Sequence, residues 1–219
     1  MARQSRLQAL AQALSEAQAL SQSQPSTGRV NQKLRTRAAI LQAANELMRT
    51  GRDVTMLEVA KAALVSEATA YRYFPDLASL LQSAMAGQMP TPAEALASVA
   101  DSTDPVERIA VATEHLLRLV LDRQGAVRAM IAATITRPET VSTRPGLRFG
   151  LIDHALEPLA GTDPTVLAQL KNDLAVVVSA EALFSLTDLC RMAPEDAIAS
   201  AVHTATTLTR AAVRELAAD

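Results

Sequence analysis

Tyr71, Tyr73 and Phe74 are three of the five aromatic residues in the chain, and they fall within four positions. In a composition that is 2% aromatic, such a cluster is not ordinary core filling. They close the run Ser66-Glu67-Ala68-Thr69-Ala70-Tyr71-Arg72-Tyr73-Phe74-Pro75. The chemistry of that run suits a nucleic acid. A glutamate such as Glu67 accepts from a cytosine amino group, and the methyls of Ala68 and Thr69 suit a thymine methyl. Arg72 is long enough for guanine or phosphate, and the hydroxyls of Tyr71 and Tyr73 suit phosphate oxygens. Phe74, at the end of the run, reads as a core anchor.

Such side chains need a short helix presented by a second one. Thr55-Met56-Leu57-Glu58 is a capping box that starts a helix over about 55–62. Ser66 stands where the next N-cap belongs, and Pro75 marks that helix's end. Two short helices joined by Ala63-Leu64-Val65 make a helix-turn-helix. Thr55 and Ser66 then bring two helix N-termini, each a positive dipole end, towards a phosphate backbone. Ahead of them Leu34, Ala38, Leu41, Ala44, Leu47 and Met48 keep helical spacing as far as Gly51. Arg35 and Arg37, at the start of that helix, are further phosphate candidates.

The chain reads as all-α throughout. Leucines at 7, 10 and 14, continued by Ala17, predict a short amphipathic helix over 3–20, and residues 21–28 read as a linker. Thr91-Pro92-Ala93-Glu94, Asp104-Pro105-Val106-Glu107 and Asp163-Pro164 predict helix starts near 91, 104 and 164. The first two read as full capping boxes. Further helices are expected near 125–136, 145–159 and 194–216. The β-prone run Val176-Val177-Val178 lies within a Leu/Ala pattern of helical period and reads as helix. The domains divide as an extension 1–33, a helix-turn-helix domain 34–87 and a larger helical domain 88–219.

Net charge is −2, but it is unevenly placed. Residues 1–75 hold ten Lys/Arg against five Asp/Glu, and residues 76–219 hold eleven against eighteen. A front third at +5 on a remainder at −7 points nucleic acid to the front third alone. The single cysteine, Cys190, excludes an intramolecular disulfide framework and any cysteine-based zinc site. No stretch reaches the roughly 18 apolar residues of a membrane span, and the N-terminus lacks the apolar stretch of a secretory signal. A cytoplasmic protein is the expectation. His115, His154 and His203 have no metal-ligand spacing, and no phosphate-binding glycine loop or Gly-x-Ser-x-Gly elbow is present. Neither an enzyme nor a cofactor is expected.

Thr36 to Gly87 resembles the DNA-binding domain of the TetR family of bacterial transcriptional regulators. The family's order of first helix, glycine, threonine-capped helix, Val-Ser turn and Thr-x-Tyr-x-x-Phe recognition helix stands here as Ile40-Leu41, Gly51, Thr55, Val59-Ala60, Val65-Ser66 and Thr69-Ala70-Tyr71-Arg72-Tyr73-Phe74. Two positions depart from it. Leu64 replaces the usual glycine before Val-Ser, and Leu77 replaces the usual phosphate-contacting lysine after the recognition helix.

The resemblance implies a ligand-responsive regulator, a repressor, that binds a palindromic double-stranded DNA operator as a homodimer and is released by a small-molecule effector. For the dimer, apolar stripes at Leu170, Leu174, Val177 and Phe184 on one long helix, and at Ile198, Ala201, Val202, Ala205 and Leu208 on the last, are the candidate interface. For the effector, His115, Leu119, Met130, Thr134, Phe149 and His154 are the pocket candidates, mostly apolar with a few orienting polar groups. The alternative reading is a helical protein-interaction module with a weak helix-turn-helix. Salt dependence separates the two, since phosphate contacts weaken steeply with salt.

Overall fold

The computed structural model describes residues 25–86, 88–136 and 146–217, and every regular element among them is helical. The segment expected to be helical at 3–20 lies outside the described residues. In chain order the α-helices are α1 (Pro25–Met48), α2 (Met56–Ala62), α3 (Glu67–Tyr73), α4 (Leu77–Met85), α5 (Pro92–Ala95), α6 (Pro105–Asp122), α7 (Gln124–Thr136), α8 (Leu147–Ala155), α9 (Pro164–Val177), α10 (Ala180–Phe184) and α11 (Pro194–Leu216). Short 3-10 turns follow α5 and α8, and a π turn, Ser185–Leu189, follows α10.

The N-terminal signals set these boundaries. At α2, Thr55 Oγ1 accepts from the Glu58 amide at 3.2 Å, and Glu58 accepts from the Thr55 amide at 3.0 Å. The same reciprocal pair forms at Thr91 and Glu94 ahead of α5. Hydrogen bonds from Thr91 hold the Glu94 carboxyl below its ordinary range. Two backbone amides do the same for Asp163 at the start of α9.

Three expectations need correcting. α1 starts at Pro25, so Pro25 to Gly28 form its first turn rather than a linker. Proline is well placed there, because the first helical N–H has no intrahelical partner. The box expected at Asp104 is only half formed: Asp104 accepts from the Val106 amide at 2.8 Å, while Glu107 accepts the Ser102 hydroxyl instead. The single long helix through the valine run is two helices. α9 stops at Val177, and Ser179, in extended conformation, caps α10 by accepting from the Ala182 amide at 3.0 Å. Serine competes well as a cap, and the preceding β-branched residues weaken the helix there.

Two apolar cores result. In the front core α1 packs on α4 and α2, and α2 on α3, around Ile40, Ala44, Met48, Val59, Leu80 and Leu81. In the rear core α6 lies along α11, with α8 and α9 closing the sides, around Ile109, Leu117, Leu151, Leu156, Leu174 and Leu183. α7 belongs to both: Ala126 is fully buried in the front core, Val127 is buried in the rear core, and Met130 packs against each.

The rear domain also holds a buried cation. Arg108 on α6 is 4% exposed. Its Nε donates to Ala155 O at 3.1 Å and Nη2 to His154 O at 2.7 Å, at the end of α8. Its Nη1 donates to Val99 O at 3.1 Å, with longer bonds to Ala100 O and Ser102 O. One guanidinium thus adds donors to carbonyls at two helix ends, where intrahelical partners run out; Val99 O also accepts from the Ser102 amide and His154 O from the Leu156 amide. Glu157 lies 3.6 Å from Nη2 and is the nearest countercharge. Arg108→Met should strip a donor from each of these carbonyls and strand those that no amide reaches, at about 1–3 kcal/mol for each buried group left unsatisfied. A total loss of about 3 kcal/mol or more is expected in urea unfolding, with α-helical content retained at low urea.

Candidate nucleic-acid interface

α3 is seven residues long, and only Ala70 within it is fully buried. Phe74, 3% exposed, anchors its end in the front core. Glu67, Ala68, Tyr71 and Arg72 remain exposed on one surface. Arg37 reaches across from α1 to lie 5.2 Å from the Phe74 ring centre, and Arg72 lies 5.8 Å from the ring of Tyr73. Arg35 is exposed on α1.

The N-terminus of α3 is prepared by its cap. Ser66 Oγ accepts from the Thr69 amide at 3.2 Å and lies 2.9 Å from Thr69 Oγ1. Thr69 is therefore oriented by the cap and is half-buried, which leaves Glu67, Ala68 and the Tyr71–Arg72 pair as the free groups of the leading face. Thr55, at the start of α2, is exposed as well. The turn between the helices carries Leu64 at φ +55°, in the left-handed region, with its side chain 93% exposed. Leu77 opens α4, half-buried, behind Asp76, whose carboxylate accepts from the Ser79 amide at 2.7 Å.

These elements form a tri-helical unit with a short, exposed second helix of the helix-turn-helix, the shape that enters a major groove. Residues 40–84 match the family model "Bacterial regulatory proteins, tetR family". This region is a TetR-family DNA-binding domain. The TetR match makes the chain a helix-turn-helix transcription regulator. Comparison with curated proteins finds no match. Among solved structures the chain is similar to a TetR transcriptional regulator from Rhodococcus sp. RHA1, at 22% identity and a TM-score of 0.47, over 81% of this chain and 97% of that one.

Behind the TetR domain lies a cavity of about 120 Å³ that opens to solvent. Met85 at the end of α4, Leu116, Leu119 and Val120 on α6, and Val127, Met130 and Ile131 on α7 form its apolar walls. Its polar part is Arg148 on α8 with Ser179 and Glu181 at α10. Of the pocket residues expected from sequence, Leu119 and Met130 stand in this wall. His115 has a buried Nε2 without a partner among the described residues and lies outside the lining. Thr134 donates to Met130 O at 2.8 Å. Phe149 is 54% exposed beneath Arg148, and His154 pairs with Glu157 at 2.7 Å, so neither lines the cavity.

α7 joins this cavity to the TetR domain. Gly125, in its first turn, is buried against the loop before α2. A Cβ there would lie 2.1 Å from Arg52 O and 2.8 Å from Asp53 N. Only hydrogen fits. Gly51 in the same loop has φ +68° and faces Asp122 O, at the end of α6. On the other side, Arg128 donates to both oxygens of Asp188 at 2.6 and 2.9 Å and stacks 3.8 Å from the Phe184 ring centre. Those hydrogen bonds hold the Asp188 carboxyl below its ordinary range.

Of the residues expected at a dimer interface, Leu170, Leu174, Ile198, Ala201 and Ala205 are buried by their own chain. Val177, Phe184, Val202 and Leu208 keep part of their surface.

The Leu64 geometry generates a test. Leu64→Gly removes about 1–2 kcal/mol of left-handed strain and adds about 0.5–1 kcal/mol of chain entropy, a net gain of about 0.5–1 kcal/mol. A higher urea midpoint at unchanged slope is the expected outcome; a lower one would mean that the leucine side chain is held by something other than solvent.

Proposed function

We propose that the protein is a ligand-responsive transcriptional repressor that binds a palindromic operator as a homodimer and is released when a small molecule fills the cavity behind the TetR domain. The observation that carries this reading is the position of α7. Its first turn sits backbone to backbone against the loop that leads into α2, and its residues Val127, Met130 and Ile131 line the cavity. An occupant that repositions Val127 or Met130 therefore moves a helix whose end has no slack against the DNA-binding unit. Such an effector shifts the operator affinity only by its own differential affinity for the two arrangements.

In this reading Glu67, Ala68 and Thr69 face base edges, and Tyr71, Tyr73, Arg72, Ser66, Thr55, Arg35 and Arg37 supply phosphate contacts. Arg72 is also long enough for a base. A short recognition helix gains affinity from a second copy one helical turn of DNA away. Val176, 72% exposed on α9, with Val202 and Leu208 on α11, is the apolar surface left for that pairing.

The test is a titration of the purified protein against the DNA upstream of its own reading frame at two salt concentrations. Tyr71→Ala and Arg72→Ala should each weaken binding. A base contact by Arg72 costs about 1–3 kcal/mol and relaxes one position, whereas a phosphate contact lowers the salt slope by about one. Binding that ignores both substitutions and salt would overturn the DNA reading and leave a protein-interaction module.

The junction is tested separately. Gly125→Ala must push Arg52 and Asp53 away from α7, an overpacking cost of about 1–3 kcal/mol. The expected result is a changed operator affinity while α3 itself is untouched in sequence. Unchanged DNA binding at reduced stability would remove α7 from the coupling.

A further inference from the structure

The cavity's polar groups differ in what they have left to offer. Ser179 Oγ accepts from the Ala182 amide at 3.0 Å and donates to Val176 O at 2.8 Å. Glu181 contacts Arg148 at 3.4 Å and has further interactions of its own. Arg148 is different. Its guanidinium lies 5.4 Å from the Phe149 ring centre. Both of its hydrogen bonds to described residues leave Nη1, one to Ala175 O at 3.3 Å and one to Glu181. Among the described residues, the Nε–Nη2 edge makes no hydrogen bond.

That edge has a specific chemical complement. Two parallel N–H groups in one plane match the two oxygens of a carboxylate, and the bond is charge-assisted. Phe149 on the ring face and the two acceptors on Nη1 restrain the guanidinium, so less ordering remains to be done on binding. The Arg148 side chain is 22% exposed, so the pairing is partly shielded from water, where such contacts strengthen. The rest of the lining is hydrocarbon and thioether: Met85, Met89, Leu116, Val120, Met130 and Ile131. Methionine adapts to irregular apolar shapes better than a branched side chain does.

We propose that the cavity takes an apolar monocarboxylic acid as its anion, with the carboxylate on the Nε–Nη2 edge of Arg148 and the hydrocarbon body among the methionines and leucines of α4, α6 and α7. This rests on the effector reading above and gives the effector its chemical class.

The experiment is calorimetric titration of the full chain with decanoate, decanol and decylamine, each below its aggregation concentration, against wild type, Arg148→Gln and Arg148→Lys. Decanoate is expected to bind about tenfold to hundredfold more tightly than decanol, the range of a charge-assisted hydrogen bond. Arg148→Gln should erase that difference and leave decanol affinity unchanged, which also shows that the variant is folded. Arg148→Lys should keep a reduced preference, since it retains the charge and loses the fork. Equal affinities for decanoate and decanol, a preference for decylamine, an Arg148→Gln protein that still prefers decanoate, or no binding by any of the three would each overturn the proposal. Repeating the DNA titration with saturating decanoate and decanol separates the two readings. Arg148-dependent decanoate binding that leaves DNA affinity unmoved keeps the ligand class and removes the effector role. DNA release by decanol, with no preference for decanoate, does the reverse.

Discussion

A backbone contact with no room for a methyl group organises this molecule. Where Gly125 meets Arg52 and Asp53, two pieces of main chain from different cores touch, with only a hydrogen atom between them. Side chains at such a junction could rotate and absorb a displacement. Main chain cannot, because packed interiors transmit strain rather than dissipate it. Ala126 then enters the front core and Val127 the rear core, so adjacent residues of α7 belong to different cores. Arg128 completes the attachment by gripping Asp188 and the face of Phe184. The helix-turn-helix is therefore seated on a helix whose residues Val127, Met130 and Ile131 pack into the rear domain.

The two halves are stabilised by different means. The front core is a small apolar cluster on which capping groups set the helix boundaries, and it tolerates a leucine at φ +55° in its central turn. The rear domain leans on a buried guanidinium that adds side-chain donors to carbonyls at the ends of helices, where intrahelical partners run out. Charged groups as deeply buried as Arg108 are costly to dehydrate, and its five carbonyl partners are what offset that cost.

What was legible in the sequence follows from the range of the interactions concerned. Thr55, Ser66 and Asp163 bond to amides two or three residues away, so their patterns announce helices directly. Leu64 stood out for the same reason, as a departure from the usual glycine, since turn geometry is local. The exposed face of α3 followed from a single seven-residue helix with one anchor. The cavity was legible only at Leu119 and Met130. Arg148 and Glu181 are brought together by the break at Val178 and Ser179, and periodicity had joined the helices on either side of that break. The stripe of Leu170, Leu174, Ile198, Ala201 and Ala205 was visible as apolar, but periodicity does not say whether such a stripe faces its own chain or another. Pro25 was read as part of a linker because proline is as common at a first helical turn as in a tether.

One consequence concerns how such a protein can change over evolutionary time. Val127, Met130 and Ile131 shape the cavity from the same helix whose Gly125 meets the DNA-binding unit. A substitution on that helix acts on both tasks at once, so variation there is pleiotropic. Leu116, Leu119 and Val120 on α6 shape the opposite wall and lie outside the Gly125 contact. On the proposed effector reading, divergence in what the cavity accepts has its freest route through α6, and the sequence of α7 is the part that a change of specificity must leave nearly alone.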